Sequence, residues 1–388
     1  MTVANAQLVL PAADGALRPY QLGEPVHYEP NAAAPRSRVL YAAAHVVCDP
    51  LATQGAGEPA RLDWEATLAY RRHLWSHGLG VAEAMDTAQR GGGLDWPTAR
   101  ELIRRSVAEA KAVGGIIACG AGTDQLEPGR SWSLEQVRDA YLEQVAFVEG
   151  EGATAIVMTS RALAAAASGP DDYRRVYDAV LARASRPVIV HWLGTMFDPS
   201  LAGYWGSDNL DEAAELVLDL VAGHGDRIDG IKVSLLDAER ERALRARLPT
   251  GVRMYTGDDF SYPELIRGGS DALLGIFDAI APAASAAVRA LDDGAPERFE
   301  EILAPTVPLA RHVFEPPTYH YKTGLVFLAY LNGYQSHFRL LGGLERARSV
   351  VHLAELLVLA DRCGLFGDPE LAAVRMRHVL AAAGVHEH

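Results

Sequence analysis

Lys232 stands near the end of a short apolar run, Asp229-Gly230-Ile231-Lys232-Val233-Ser234. If that run is a buried strand, the lysine points into the interior. A buried ammonium is costly, so such a lysine either pairs with a carboxylate or gives up its proton. An amine with a lowered pKa is a nucleophile towards carbonyl carbon. A second short strand, Tyr255-Thr256, runs into Gly257-Asp258-Asp259. The two segments together predict an enzyme that forms an imine with its substrate.

Other polar residues recur at the ends of predicted strands. His45 closes the first, Glu83 and then Asp86-Thr87 the second, and Gly120 to Asp124 the third. Thr159, Ser160 and Arg161 follow the fourth, His191 lies in the fifth, Lys232 and Ser234 in the sixth, and Gly257, Asp258 and Asp259 after the seventh. Each has a plainer reading. Lys232 would pair with Glu83 or Asp258. His45 and His191 would be core histidines bonded to backbone. Asp258 and Asp259 would cap the next helix. Gly120 and Gly122 would be turn glycines with positive φ. Arg161 would be a solvated loop residue or would hold an anionic group, and Lys322 reads as a surface residue at a helix start.

The elements that must position these groups alternate regularly. Strands are predicted over 39–47, 79–84, 115–118, 155–159, 187–193, 228–233, 252–256 and 272–276. Between them helices are predicted over 63–77, 96–113, 134–149, 170–184, 211–222, 238–248 and 263–266. Asp63, Asp95 and Ser133 stand where N-caps belong, and Pro97 suits a first turn. Strict β/α alternation implies a parallel sheet, and eight units imply an α/β protein of the closed (β/α)8 TIM-barrel type, whose reacting groups sit at the C-terminal strand ends. An open doubly wound sheet is disfavoured because no GxGxxG opens the first helix. Residues 1–37 read as an N-terminal arm, 38–280 as the barrel and 281–388 as a C-terminal helical extension. The extension's helices are predicted over 281–291, 297–314, 323–340, 345–363 and 369–383, with a homodimer or homotetramer contact expected on them.

Bulk properties narrow the function. The net charge of −14 argues against a nucleic-acid partner, which needs a basic patch. Three cysteines without a CxxC predict neither a disulfide framework nor a zinc ribbon, and fit a reducing cytoplasm. Residues 1–10 lack the pattern of a secretory signal, and no apolar run is long enough to span a membrane.

Asp229-Gly230-Ile231-Lys232 and Thr256-Gly257-Asp258-Asp259 resemble the dihydrodipicolinate synthase / N-acetylneuraminate lyase superfamily of class I aldolases. Residues 82–91 (AEAMDTAQRG) and 255–260 (YTGDDF) resemble the DUF993 branch, whose function is unknown. The resemblance covers roughly residues 38–345 and implies a TIM barrel in which Lys232 forms the Schiff base, without a cofactor. The departures are informative. The superfamily's second strand ends in a Gly-Thr/Ser-Thr-Gly-Glu loop that binds a keto-acid carboxylate. Here the stretch is Ala84-Met85-Asp86-Thr87-Ala88-Gln89, and an aspartate repels a carboxylate. The superfamily's proton-relaying tyrosine after strand four is replaced by Met158-Thr159-Ser160-Arg161, so the relay is absent or comes from elsewhere.

The resulting expectation is an aldolase-like lyase acting on a small-molecule carbonyl compound, a keto-sugar or related polyol. C–C cleavage, C–C formation or dehydration would proceed from the Lys232 iminium. His45, His191, Glu83 and Asp86 are the candidate acid–base groups. Thr159, Ser160, Arg161, Ser234, Gly257, Asp258 and Asp259 are the candidate substrate contacts. Two alternatives stand beside it. His45, Glu83, His191 and Asp258 are ligand types for a divalent metal on the same barrel face, and a barrel that binds a metabolite without catalysis would need no reactive amine.

Overall fold

The computed structural model describes residues 6–53, 55 and 58–386. The first five residues of the predicted arm and the last two of the extension therefore lie outside the described part. The chain begins with a hairpin, β1 (Gln7–Pro11) and β2 (Leu17–Gln21). Eight parallel strands follow: β3 (Leu40–Ala43), β4 (Gly80–Glu83), β5 (Ile117–Ala121), β6 (Thr154–Val157), β7 (Val188–Leu193), β8 (Ile228–Ser234), β9 (Arg253–Thr256) and β10 (Asp271–Leu274). They close in chain order into a barrel, with β10 pairing back onto β3. The predicted TIM barrel is the observed fold.

Helices α1 (Trp64–Ser76), α2 (Trp96–Val113), α3 (Leu134–Glu151), α4 (Arg161–Ala166), α5 (Pro170–Arg183), α6 (Leu210–Gly223), α7 (Ala238–Arg245) and α8 (Tyr262–Arg267) connect the strands. Their starts are chemically marked. The Asp63 and Asp95 carboxylates accept the Ala66 and Thr98 amides, and Ser133 forms a reciprocal capping box with Gln136. Inside the barrel, alternate residues pack as a layer that includes Tyr41, Ala82, Ala118, Ile156, Ile189, Tyr255 and Leu273.

Strand β3 ends earlier than predicted. At the barrel rim its backbone leaves the ladder, and the amides of His45 and Val47 turn to the side chains of Asp278 and Thr67. Three of the predicted C-terminal helices, those over 297–314, 323–340 and 345–363, are divided or shorter than the apolar pattern suggested. The helices of this region are α9 (Phe277–Asp292), α10 (Pro296–Leu303), α11 (Thr306–Val313), α12 (Tyr321–Leu331), α13 (Val350–Arg362) and α14 (Pro369–Ala382). Pro305, which lacks an N–H, divides the helix predicted over 297–314. The helix predicted over 323–340 stops at Asn332-Gly333, where Gly333 takes a positive φ of 86°. The helix predicted from 345 starts only at Val350, behind its Ser349 cap.

The segment predicted as an arm carries a paired hairpin. Leu8 and Leu10 are buried in the same core as α13 and α14, and the Tyr20 hydroxyl donates to Asp361 at 2.6 Å. No helix among the described residues is long and apolar enough to cross a membrane.

Candidate active site

Lys232 lies on β8, directly beside His191 on β7. Two residues on, Ser234 faces the same side, and its hydroxyl meets His191 Nε2 at 3.1 Å. The space for the lysine chain comes from Gly257 at the end of β9. A methyl group there would stand 3.0 Å from Lys232 Cε and only 2.2 Å from Ser234 Oγ, so any side chain would displace the amine. Among the described residues Lys232 Nζ has no hydrogen-bond or ion-pair partner.

The amine opens into a small, narrow cavity that is partly open to solvent. Its polar lining is Asp86, Thr87, His191, Lys232, Ser234, Asp259 and Tyr321. Apolar walls come from Ala43, Met85, Leu193, Phe197, Gly275 and Phe314. Burial lowers the pKa of Lys232 to about 8, against the pull of the Asp259 and Asp86 carboxylates. Burial likewise pushes Asp259 up to about 7, although the Ile276 amide donates to its carboxylate at 2.8 Å and Lys232 opposes the rise. His191 is pushed well below the usual histidine range by burial and by Lys232, so its ring is neutral.

The residues singled out in the sequence divide into two groups. Lys232, His191, Ser234, Asp259 and Asp86 meet in this cavity. His45, Glu83, Thr159, Ser160, Arg161, Gly257 and Asp258 do not line it. His45 is fully buried and both ring nitrogens are occupied, Nδ1 by Asp278 at 2.7 Å and Nε2 by the Gln335 amide oxygen at 3.1 Å. Glu83 is bound through both oxygens by Arg71, each contact 2.9 Å. Desolvation works against ionising Glu83, but the Arg71 charge and hydrogen bonds and the Ala84 amide outweigh it and hold the carboxyl below its usual range.

Asp258 accepts the Phe260 and Ser261 amides and so holds the turn before α8, whose N-cap is Ser261; it does not cap the helix as the plainer reading had it. Ser160 caps α4 and bonds the Thr123 hydroxyl at 2.6 Å. Arg161 is largely exposed and pairs with Asp198, while Thr159 is half-buried beside them. Neither Gly120 nor Gly122 has a positive φ. The metal alternative finds no support in this arrangement. Glu83 is engaged by Arg71, His45 is saturated, one Asp258 oxygen is taken by two amides, and these four residues form no ligand cluster among the described residues.

Two contributors escaped the sequence reading. Tyr321, the first residue of α12, is buried in the cavity wall, and its hydroxyl bonds the Thr87 hydroxyl at 2.8 Å. Lys322 is not a surface residue. It is buried, donates to the Tyr319 carbonyl, and pairs with Asp86 at 3.0 Å. A cation in a helix's first turn opposes the macrodipole, so this lysine is held by its carboxylate. The only signal for either residue was the helix break at Glu315-Pro316-Pro317, where the chain must return over the barrel mouth.

Comparison with known proteins places the chain. A family model described as "Protein of unknown function (DUF993)" matches residues 8–385. The chain belongs to the DUF993 family. A search of curated proteins finds no match. Solved structures share the fold. One is YagE, a prophage protein of the dihydrodipicolinic acid synthase family from E. coli K12, solved with pyruvate (13% identity, TM-score 0.67, 84% of this chain and 99% of that one). Another is dihydrodipicolinate synthase from Aquifex aeolicus (15%, 0.64, 85% and 99%). A third is 4-hydroxy-tetrahydrodipicolinate synthase from Methylacidiphilum fumariolicum SolV (17%, 0.63, 89% and 99%). The DUF993 chain thus shares the architecture of the dihydrodipicolinate synthase structures across nearly their whole length.

Proposed function

We propose that this DUF993 protein is a lyase of the class I aldolase type whose Lys232 condenses with a small polyhydroxy carbonyl compound. One observation carries the reading: a buried, partnerless amine with a lowered pKa opens into a small cavity that polar side chains help to line. Nζ adds to the carbonyl carbon, the carbinolamine loses water, and the iminium accepts the electron pair of the adjacent breaking bond. A substrate hydroxyl proton must leave as that bond breaks. Asp259, beside the amine and pushed towards neutrality, is the group suited to take it. Tyr321 and Thr87 form a hydroxyl pair in the lining, so a tyrosine from α12 would stand in for the one that the β6 loop lacks.

The lining favours a keto-sugar over a keto acid. It contains no arginine, and the nearby Lys322 is already paired with Asp86. A substrate carboxylate would therefore find no unpaired cation there other than Lys232 itself. Asp86, Thr87 and Ser234 are arranged to bind hydroxyls instead.

The test is reductive trapping. The protein is incubated with borohydride and a panel of dihydroxyacetone, fructose, xylulose and pyruvate, then digested and mass-mapped. A reduced adduct on Lys232 with at least one polyhydroxy ketone is expected, and weaker labelling by pyruvate. An adduct on a different residue, or none across the panel, overturns the assignment.

The Asp259→Asn protein gives a second prediction. The Asp259 carboxylate favours the ammonium form of Lys232, so removing its charge lowers the lysine pKa further. The rate of trapping rises with pH as the amine is freed. In the variant that rise is expected at lower pH, by roughly one pH unit or more. A rise that stays in place, or moves to higher pH, would show that the two groups do not interact.

A further inference from the structure

A second cluster of chemistry-bearing side chains lies outside the cavity, among the C-terminal helices. His312 is in the last turn of α11, Glu315 follows three residues later, and His352 is in the first turn of α13. The two imidazoles stack with centroids 4.0 Å apart and planes 19° from parallel. Glu315 bridges them, Oε1 lying 2.8 Å from His352 Nδ1 and Oε2 3.4 Å from His312 Nδ1. One ligand atom from each residue falls within 4.8 Å of the other two.

The remaining contacts prepare these atoms. His312 Nε2 faces the His352 carbonyl at 3.0 Å. A carbonyl only accepts, so Nε2 carries the proton and Nδ1 turns its lone pair towards the cluster. A backbone carbonyl on the outer nitrogen is the usual way of orienting a histidine ligand. Arg348 donates to the carbonyls of Glu315, Pro316 and Pro317, and its closest approach to the Glu315 carboxylate is 3.9 Å. That is an ion pair too long for a hydrogen bond, so no Arg348 N–H occupies the carboxylate. A simple Glu–His hydrogen bond would need one histidine, not a stacked pair with one tautomer fixed.

We propose that His312, Glu315 and His352 form a binding site for a divalent cation of the zinc class. Two imidazole nitrogens and a carboxylate suit such an ion, with water in the fourth position. The Glu315 side chain is 43% exposed, which gives the ion a way in. The site is distinct from the Lys232 cavity but is joined to it by the chain. Segment 312–321 carries Phe314 and Tyr321, whose rings stack at 4.5 Å and wall the cavity. A cation here ties the end of α11 to the start of α13 and fixes the segment that presents both rings. Its role is to hold the wall, not to take part in the reaction.

The test uses the full-length, untagged protein, freed of metal by chelator and then desalted. Zinc is titrated in against a chromogenic indicator, and bound metal is counted by mass spectrometry after gel filtration. One zinc per chain is expected. Glu315→Gln and His312→Asn should each weaken binding by roughly 100-fold, with circular dichroism confirming that the variants fold. Zinc should also raise the thermal midpoint of the wild type and not that of Glu315→Gln. Failure of the wild type to retain zinc overturns the proposal, as does equal binding by both variants. Neither outcome bears on imine trapping at Lys232.

Discussion

Lys232→Met is expected to abolish turnover of any substrate that traps on the wild type, by roughly 10⁴-fold or more in kcat, without loss of fold. Methionine keeps the length and apolar stem of the side chain and removes only the amine. The wild-type ammonium is desolvated and no carboxylate neutralises it directly. Replacing a strained buried charge by an apolar isostere is neutral or stabilising. The thermal midpoint is therefore expected to hold or rise while activity disappears.

The pH dependence of stability separates the two effects. The folded lysine has its pKa lowered from 10.5 to about 8. Between those values the unfolded chain binds the proton more tightly, so this group makes the wild type gain stability as pH rises from about 8 to 10.5. Lys232→Met lacks that gain. Urea unfolding at pH 8 and pH 10 measures it, and steady-state kinetics measures the other half. More than a few per cent of wild-type kcat in the variant would dismiss the amine as nucleophile.

Glu83→Gln has the largest expected effect on stability, a loss of about 3–5 kcal/mol. Glu83 and Arg71 are both fully buried and joined through two parallel contacts. Arg71 also donates to the carbonyls of His45 and Thr67, so one guanidinium fastens the ends of β3 and β4 to α1. Glutamine preserves the shape but leaves the cation without a counter-charge. Replacing both partners, as Arg71→Met with Glu83→Leu, is expected to cost less than the single change. Because the folded carboxyl is held below its usual range, this contribution is complete above pH ~4.5 and fades on further acidification. The folded fraction of Glu83→Gln should retain its kcat, which an acid–base role would forbid. A stability loss under about 1 kcal/mol would mean the pair is not the fastening described.

These two residues show what the sequence could and could not disclose. Lys232 and Glu83 obey the same rule, an ionisable group near the end of a barrel strand, and the rule does not say what each one meets. For Glu83 the answer was Arg71, an arginine on an otherwise ordinary helix. For His45 it was Asp278, a residue far along the chain. Strand and helix order was legible because burial imposes a period and because Asp63, Asp95 and Ser133 mark helix starts chemically. Lys232 stood out because an amine in so apolar a strand must either find a partner or give up its proton. Tyr321 and Lys322 were hidden because no local pattern tells that a tail helix turns its first residues over the barrel mouth. Asp86 was read as an obstacle to a carboxylate, but its neutralising partner lay in that same helix.

The hairpin at the start of the chain has a consequence for how the molecule is made. Its strands leave the ribosome before the barrel, yet the surfaces that receive them, on α13 and α14, emerge after it. The Tyr20–Asp361 bond spans 341 positions. An isolated two-stranded ribbon is barely stable in water, so this segment must wait, unshielded, while nearly the whole polypeptide is synthesised. Its docking belongs among the closing events of maturation, when the two extremities of the chain fasten over a barrel already assembled.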